Sequence, residues 1–498
     1  MSPPAANERA SAPPATEIAH APSHDVRHAM WRVTTAWMFG AAWMYLTMGA
    51  TFTRFARLMG LEDHWFGVLA AMPWAGALAQ LGSSYVLTRY GHRKRVLLIA
   101  GVISRLTWVV LALIPWVLPR AWWWPALLVV RACSSLSGHF MAPAVLSWFA
   151  DLFPRRIRGR YFARRNQLGR LVSVVATLVA ATVLDHYQAQ GQEALMRAVS
   201  VILAAGGLFG VIDFLWLIPV PDVAHQADRA LSFRRLLREP LRDRDFLHYI
   251  GYTATATLGM AFIGQFVWLY LFEVLHLSNK AGNVMLVAVY LVVGYFAVRW
   301  WGLLQDRVGC KPTLVLAGIM TVPGAASWIF VTPENWWLGY VGVFLSLVGW
   351  SGVELANFNI LLGMSASRKG QRQGSAFLAV NYLAVSLAGV VSGLFAAATA
   401  WGLKGWEGSL FGWRLTYHGV LFLESGALRL LALFWLIGMR EPQAHTTMAA
   451  ARLIAANIYS NLRQGIFMPT RRVARLGRLA YRLRRRRRAV KRDENDTG

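Results

Sequence analysis

Long apolar stretches separated by short polar loops recur along almost the whole chain. Two examples are VLLIAGVISRLTWVVLALIPWVLP at 96–119 and NVMLVAVYLVVGYFAV at 283–298. A helix of about 20 apolar residues matches the hydrocarbon thickness of a bilayer, and these stretches lack the alternation of barrel strands. The pattern predicts twelve membrane-spanning helices, near 33–53, 65–87, 96–118, 122–149, 166–185, 197–219, 246–271, 283–304, 313–331, 337–363, 375–400 and 416–438.

Composition supports a membrane protein over a soluble one. Hydrophobic residues make up 56% of the 498 residues and charged residues 15%, whereas a soluble domain is about 45–50% apolar. The two cysteines, Cys133 and Cys310, lie in a predicted span and a predicted inner loop. They imply no disulfide framework, so helix packing must hold the fold together.

The distribution of positive charge predicts the orientation. An even number of spans puts both termini on one side, and most of the 51 Lys and Arg residues fall in the termini and the even-numbered loops. Positive charge favours the cytoplasmic side, so we expect a multi-pass protein of the cytoplasmic (inner) membrane with both termini inside. The net charge of +27 then follows from topology and attraction to the inner leaflet. No nucleic-acid partner is needed to explain it.

The two halves of the chain share a sequence pattern. GRYFARRN (159–166) follows span 4 and GSAFLAVN (374–381) follows span 10, with Gly, Phe and Asn at one constant offset. The same offset carries Trp122 onto Trp337. We therefore expect a duplicated six-helix unit. The predicted organisation is a disordered cytoplasmic lead at 1–30, a first bundle at 31–220, a cytoplasmic linker at 221–245, a second bundle at 246–440 and a basic amphipathic cytoplasmic tail at 441–498.

Two charged loops occupy equivalent places in the halves, TRYGHRKR (88–95) and GLLQDRVGCKP (302–312). The second resembles the loop motif of the major facilitator superfamily. The first resembles its first-half copy but has Ser84 and Thr88 where Gly and Asp are usual. The resemblance implies an all-α membrane fold of two pseudo-symmetric six-helix bundles. The motif positions matched are Gly302, Leu304, Asp306, Arg307, Gly309 and Lys311 in the second half, and Arg89, Gly91, Arg93 and Lys94 in the first.

The paired loops are candidates for a cytoplasmic gate. Glycine permits a tight turn between helices, and a carboxylate can accept hydrogen bonds from a helix N-terminus or a basic partner. The resemblance implies that Asp306, Arg307 and Asp151 stabilise the outward-facing state. Thr88 cannot form an ion pair, which weakens the case for a symmetric first-half latch. The alternative for Arg93, Lys94 and Arg95 is that they only set topology. The candidate gate residues are Arg89, Gly91, Arg93, Asp151, Asp306, Arg307, Gly309 and Lys311.

Ionisable groups at bilayer depth usually face a cavity or each other. The resemblance implies that spans 1, 4, 7 and 10 line a central cavity. The repeat offset maps His139 onto Glu354, so these two could face each other, although a lone histidine is often only a hydrogen-bonded packing residue. Asp213 and Glu424 lie in supporting spans, where structural pairing is favoured. The candidate substrate and coupling residues are Arg131, His139, Glu354, Asn357 and Arg105.

We predict a secondary active or facilitative transporter of a small organic solute, working by alternating access. Coupling to protons, as in symport, is an open alternative, with Arg131 orienting an anionic or zwitterionic solute. Multidrug efflux is disfavoured because span 5 lacks the Gly-Pro signature that resembles drug antiporters. An enzyme is not expected, since no H-E-x-x-H, C-x-x-C or G-x-S-x-G motif and no phosphate loop occur. No cofactor or metal is expected, and we expect a monomer.

The C-terminal tail allows a third class, a transporter-like sensor or scaffold. RRVARLGRLAYRLRRRRRAVKR (471–492) places apolar residues on one helical side among many cations. Such a helix is expected to lie on anionic inner-leaflet lipids. A solvated charge run and a protein or nucleic-acid partner remain as alternatives.

Overall fold

The computed structural model describes residues 23–153, 155–222, 240–366, 371–410, 412–439 and 448, and within them helices dominate. The first six predicted spans are all helical. Spans 1 and 4 are each divided between two helices. The helices of this half are α1 (Ser23–Thr47), α2 (Ala50–Leu58), α3 (Asp63–Tyr90), α4 (Arg93–Val117), α5 (Trp123–Phe140), α6 (Ala142–Leu152), α7 (Arg155–Gln188) and α8 (Gln192–Leu215).

The second half is also mainly helical. Two π-helical turns lie at the end of predicted span 7 and the start of predicted span 8, at Tyr270–Val274 and Val284–Ala288. A short antiparallel hairpin, which the hydropathy pattern does not predict, precedes the last helix and pairs β1 (Gly408–Leu410) with β2 (Trp413–Leu415). The helices are α9 (Arg244–Met260), α10 (Ile263–Leu269), α11 (Asn279–Asn283), α12 (Val289–Val308), α13 (Cys310–Ala326), α14 (Gly339–Ala366), α15 (Gln371–Gly402) and α16 (Tyr417–Trp435).

Breaks in two spans of the first half occur at defined positions. Span 1 is interrupted at Met48 and Gly49, where Gly49 has a φ of 62°. Span 4 is interrupted at Met141, between α5 and α6. A positive φ is accessible to glycine at little cost, so Gly49 lets the chain restart a helix in a new direction.

Eight helices of the described chain are long and apolar enough to cross a membrane. The number rises to nine if Asn279–Gly294 and Phe296–Val308, bent by 41°, count as one span. Predicted spans 1, 2 and 4 do not pass this test. The main helices of spans 1 and 4, α1 with 25 residues and α5 with 18, are long enough, so it is their mean hydropathy that falls short.

The chain divides into two compact units. The first comprises residues up to Glu62 and Ala75–Ala230, and the second Asp63–Trp74 together with the residues from Leu231 on. Asp63–Trp74 belongs with the second unit because the first turns of α3 pack closely on α15. A Cβ on Gly67 would lie within 2.7 Å of backbone atoms of Gly393 and Ala397.

Each unit has its own buried core organised around a tryptophan. Trp148 in the first unit and Trp301 in the second are fully buried. The Trp148 indole donates to the Pro221 carbonyl oxygen at 3.2 Å, and the Trp301 indole donates to the Val348 carbonyl oxygen at 2.7 Å. A buried indole with its N–H satisfied both fills volume and fixes helix orientation. These cores hold the helix ends that carry the candidate gate.

Several expectations fall at the edges of the described chain. Helix α1 begins at Ser23, so the disordered lead expected over 1–30 is wrong for residues 23–30. The earlier part of that lead, most of the linker at 221–245 and nearly all of the basic tail lie outside the described residues.

Candidate functional site

The two glycines of the paired loops both end a helix with a positive φ. Gly91 ends α3 with a φ of 71°, and its N–H donates to the Leu87 carbonyl oxygen at 2.9 Å. Gly309 ends α12 with a φ of 98°, and its N–H donates to the Gln305 carbonyl oxygen at 2.9 Å. A side chain would strain the backbone at both positions, which agrees with the tight turns expected from the sequence.

Arg93 and Asp151 form an ion pair within the first unit. The Arg93 side chain is 1% exposed, and its Nη1 lies 2.6 Å from Oδ2 of Asp151, whose side chain is 46% exposed. The same Nη1 donates to the Ser147 carbonyl oxygen at 3.0 Å. These contacts join the start of α4 to the end of α6. A role limited to setting topology does not account for such a buried, hydrogen-bonded side chain.

Lys94 and Lys311 make equivalent contacts in the two units. The Lys94 Nζ donates to the carbonyl oxygens of Ile218 and Val220 at 2.7 and 2.6 Å, just beyond α8. The Lys311 Nζ donates to the Met439 carbonyl oxygen at 2.6 Å, just beyond α16. Carbonyl groups at a helix C-terminus lack partners and carry partial negative charge, so Lys94 caps α8 and Lys311 caps α16.

The other charged gate candidates lie at the surface. Asp306 and Arg307, in the last turn of α12, are both exposed and make no hydrogen bond or ion pair with a described residue. Arg89 is exposed and donates to the Tyr85 hydroxyl oxygen at 3.1 Å, one turn earlier on α3. The latch role of Asp306 and Arg307 therefore stays a prediction.

Arg131 is bracketed by aromatic rings in the first unit. Its guanidinium carbon lies 5.0 Å from the ring centroid of Trp108 and 5.7 Å from that of Phe52. Aromatic faces stabilise a cation without neutralising its charge. Within the described part of the chain Arg131 has no ion-pair partner, so its guanidinium retains its hydrogen-bond donors for an anionic group.

His139 is satisfied along its own helix. Its Nδ1 lies 2.9 Å from the Ser135 carbonyl oxygen, one turn earlier on α5, and the side chain is half-buried. This geometry agrees with the packing alternative for His139. Its role in coupling stays a prediction.

Arg105 occupies a packed position between α1 and α8. It is 7% exposed, with its guanidinium carbon 3.3 Å from the Trp43 ring centroid and 5.2 Å from that of Phe214. Its electrostatic partner is Asp213 on α8, which agrees with the structural pairing expected for that carboxylate. These surroundings favour a packing role for Arg105 over direct contact with a solute.

Glu354 and Asn357 form a polar face on α14. Glu354 is exposed and accepts a side-chain hydrogen bond from Trp350, one turn earlier. The backbone oxygen of Asn357 accepts a hydrogen bond from the Tyr249 hydroxyl at 3.2 Å, and its buried Oδ1 has no partner among the described residues. Buried acceptors are normally satisfied, so this oxygen is available to a donor on a ligand. On α9, Thr253 donates to Oδ1 of Asn381 at 3.1 Å.

A cavity of about 310 Å³ lies within the second unit. Arg429 on α16 contributes the one cationic group among its lining residues. The sequence shows Arg429 only as one intramembrane charge near Glu424, and nothing in it indicates a cavity. In the structure Glu424 accepts from Thr399 at 3.4 Å, and no ion pair joins it to Arg429 within the described residues. The other lining residues are Met260, Ile263, Gly264, Val267, Trp268, Leu286, Gly324, Ala325, Trp328, Val343, Ser346, Leu347 and Trp350.

No group of three or more potential metal ligands occurs in the part of the chain that the structure describes.

Comparison with solved structures places the fold among membrane transporters. The nucleoside transporter NupG superposes with a TM-score of 0.60 at 13% identity, covering 83% of this chain and 98% of that one. A D-xylose-proton symporter superposes with a TM-score of 0.58 at 14% identity, covering 82% and 96%. A bacterial homologue of the human lysosomal transporter Spinster, inward-facing and unoccupied, superposes with a TM-score of 0.55 at 14% identity, covering 84% and 95%.

Sequence comparison identifies the family. No curated protein matches the chain in sequence. The sequence model of the Major Facilitator Superfamily matches residues 33–393, which is most of the chain. That family has the fold of twelve membrane-spanning helices in two six-helix bundles expected from the hydropathy pattern. The paired loop glycines, the paired lysine caps and the match over 33–393 agree, and the chain belongs to the Major Facilitator Superfamily.

Proposed function

We propose that this membrane solute transporter carries a small organic anion or zwitterion by alternating access. The observation that carries the proposal is Arg131. Its guanidinium lies against Trp108 and Phe52 and has no ion-pair partner among the described residues. An intramembrane cation without a counter-ion is costly, so it persists where a function requires it. A carboxylate or phosphate of the solute would supply the missing negative charge.

Proton coupling through Glu354 is the second part of the proposal. Glu354 is exposed on α14, and Asn357 on the same helix offers a free amide oxygen. A carboxylate exposed within a membrane-spanning helix can gain and lose a proton when its surroundings change between two states of a transporter. The shared fold with a D-xylose-proton symporter is consistent with symport.

The distribution of Lys and Arg along the chain supports a proposal for how the protein is oriented in the membrane. We propose that both termini lie in the cytoplasm, that the protein resides in the inner membrane as a monomer, and that the tail contacts anionic lipids. Proteolysis of the termini in sealed inside-out and right-side-out vesicles tests the orientation. Cleavage of the tail in right-side-out vesicles contradicts it.

A thermal-stability screen of the purified protein in detergent tests the substrate class. Organic acids, amino acids, nucleosides and sugars are compared, because the structural neighbours include a nucleoside transporter and a xylose symporter. A ligand at about 100 times its dissociation constant adds roughly 2.7 kcal/mol to the stability of the folded state. We expect stabilisation by one class of anionic or zwitterionic solute, retained in part by Arg131→Lys and lost in Arg131→Ala.

The matched control is Arg120→Ala. Arg120 also lies over an aromatic ring, 5.8 Å from the Trp123 ring centroid, but it is exposed before α5 begins. Its removal is expected to leave ligand stabilisation unchanged. The proposal fails if the folded protein responds only to uncharged solutes, or if Arg131→Ala and Arg120→Ala respond to the ligand equally.

A further inference from the structure

Arg429 is buried, and no counter-ion lies beside it among the described residues. Its side chain is 7% exposed, its Nη1 donates to the Thr321 carbonyl oxygen at 3.0 Å, and its buried Nε has no hydrogen-bond partner in the described part of the chain. Among the described residues, the titratable group that interacts with it electrostatically is the phenol of Tyr252, which is neutral near pH 7. A buried, uncompensated cation is strongly destabilising, so an anion at this position would stabilise the unit.

The cavity beside Arg429 is suited to an apolar ligand body. Trp268, Trp328 and Trp350 reach it from three different elements, and aliphatic side chains fill most of the remaining wall. Ser346 contributes the one hydroxyl group among the lining residues. Ligand sites are typically apolar cavities of about 300–1,000 Å³ with a few polar groups that fix orientation. One cation in an aromatic wall matches that description.

The lining belongs entirely to the second unit. It comes from α9, α10, the turn Val284–Ala288, α13, the 3₁₀ turn Ser327–Phe330, α14 and α16. Arg131, to which the transport proposal assigns the solute, belongs to the first unit. The response of binding to Arg131→Ala distinguishes the two sites.

We propose that Arg429 and this cavity form a second ligand site, which binds an organic carboxylate with an apolar body. The carboxylate pairs with the guanidinium and accepts from its unpartnered N–H groups. The apolar body packs against the three indoles. Such a carboxylate has two sources, a dissolved aromatic acid or a fatty acid from the bilayer.

Equilibrium binding to the purified full-length protein tests the site. Phenylacetate represents the dissolved acid and laurate the bilayer acid, each paired with its neutral amide. We expect saturable binding of at least one acid, with the amide bound about tenfold or more weakly because the charge-assisted pair is lost. Binding of phenylacetate indicates a dissolved aromatic acid as the ligand, and binding of laurate indicates a fatty acid from the bilayer. Absence of saturable binding by both acids overturns the proposal, as does equal binding of acid and amide.

Two variants locate the binding. Arg429→Gln is expected to weaken binding of the acid about tenfold or more. Because Arg429→Gln also removes the hydrogen bond to the Thr321 carbonyl oxygen, Gly264→Leu provides an independent test. Gly264 lines the cavity, and a Cβ there meets no atom within 4 Å, so a leucine side chain occupies the cavity without a clash at its Cβ.

Two control variants, Gly402→Leu and Arg131→Ala, show whether a loss of binding comes from filling this cavity. At Gly402, the last residue of α15, a Cβ likewise meets nothing within 4 Å, and the residue does not line the cavity. We expect Gly264→Leu to abolish binding and Gly402→Leu to preserve it. Arg131→Ala is expected to leave it intact. Loss of binding in Arg131→Ala, or full binding in Gly264→Leu, assigns the ligand elsewhere and overturns the proposal.

Discussion

Arg93 lies 2.6 Å from Asp151, with the guanidinium almost fully buried and the carboxylate half exposed. The pair joins the first turn of α4, beside the charged loop, to the last turn of α6. The second-half motif residue Asp306 is exposed and makes no ion pair with a described residue. The Arg93–Asp151 ion pair thus lies in the first half, where the motif departs from the family pattern at Ser84 and Thr88.

Asp151→Asn is expected to lower the free energy of unfolding by about 1–3 kcal/mol, because it removes the carboxylate charge that pairs with the buried Arg93 guanidinium. Melting temperature in detergent measures the change. The matched control is Glu407→Gln, in the exposed Glu407–Arg414 pair beside the hairpin. An exposed pair contributes only about 0–1 kcal/mol. Equal changes in the two variants contradict a structural role for Arg93–Asp151.

Lys94→Met and Lys311→Met are each expected to lower the melting temperature, because each lysine donates to carbonyl oxygens beyond the last helix of its unit. Loss of such a cap costs about 1 kcal/mol. Arg95→Met is the control, since Arg95 is exposed and makes no hydrogen bond or ion pair with a described residue. A shift for Arg95→Met as large as for Lys94→Met refutes the capping role.

Glu354→Gln is expected to remove the pH dependence of uptake into proteoliposomes if Glu354 is the coupling group. Glutamine resembles the protonated carboxyl and cannot release a proton, so an inward proton gradient no longer drives accumulation. Exchange of solute down its own gradient is expected to persist. The control is Glu424→Gln, whose carboxylate accepts from Thr399 between α15 and α16. Undiminished, pH-dependent accumulation by Glu354→Gln shows that coupling lies elsewhere.

Gly352→Ala is expected to destabilise the second unit by about 1–3 kcal/mol through overpacking. A Cβ at Gly352 would lie 2.6 Å from the Trp301 indole and 2.7 Å from the Ala317 Cβ, and that indole is held by its hydrogen bond to Val348. Gly402→Ala, where a Cβ meets nothing within 4 Å, is expected to be neutral or slightly stabilising. A melting temperature for Gly352→Ala at or above that of Gly402→Ala contradicts close packing of α14.

The sequence by itself determined the class of fold. Apolar runs of bilayer length predicted where helices form, and the positions of Gly91 and Gly309 predicted the turns that end α3 and α12. These are local properties, since length, hydropathy and a positive φ depend on neighbouring residues along the chain. The same patterns could not reveal that span 1 restarts at Gly49 or that span 7 ends, and span 8 begins, in a π-helical turn.

The tertiary structure alone decided what each charge contacts. Arg93 lies in a charged loop, and Arg105, Arg131 and Arg429 lie in predicted spans. Arg93 pairs with Asp151, and Arg105 packs on Trp43 beside Asp213. Arg131 is bracketed by Trp108 and Phe52, and Arg429 lines a cavity with three indoles. Their partners come from other helices, because contacts between helices depend on rotation and depth in the bundle, which no short stretch of sequence contains.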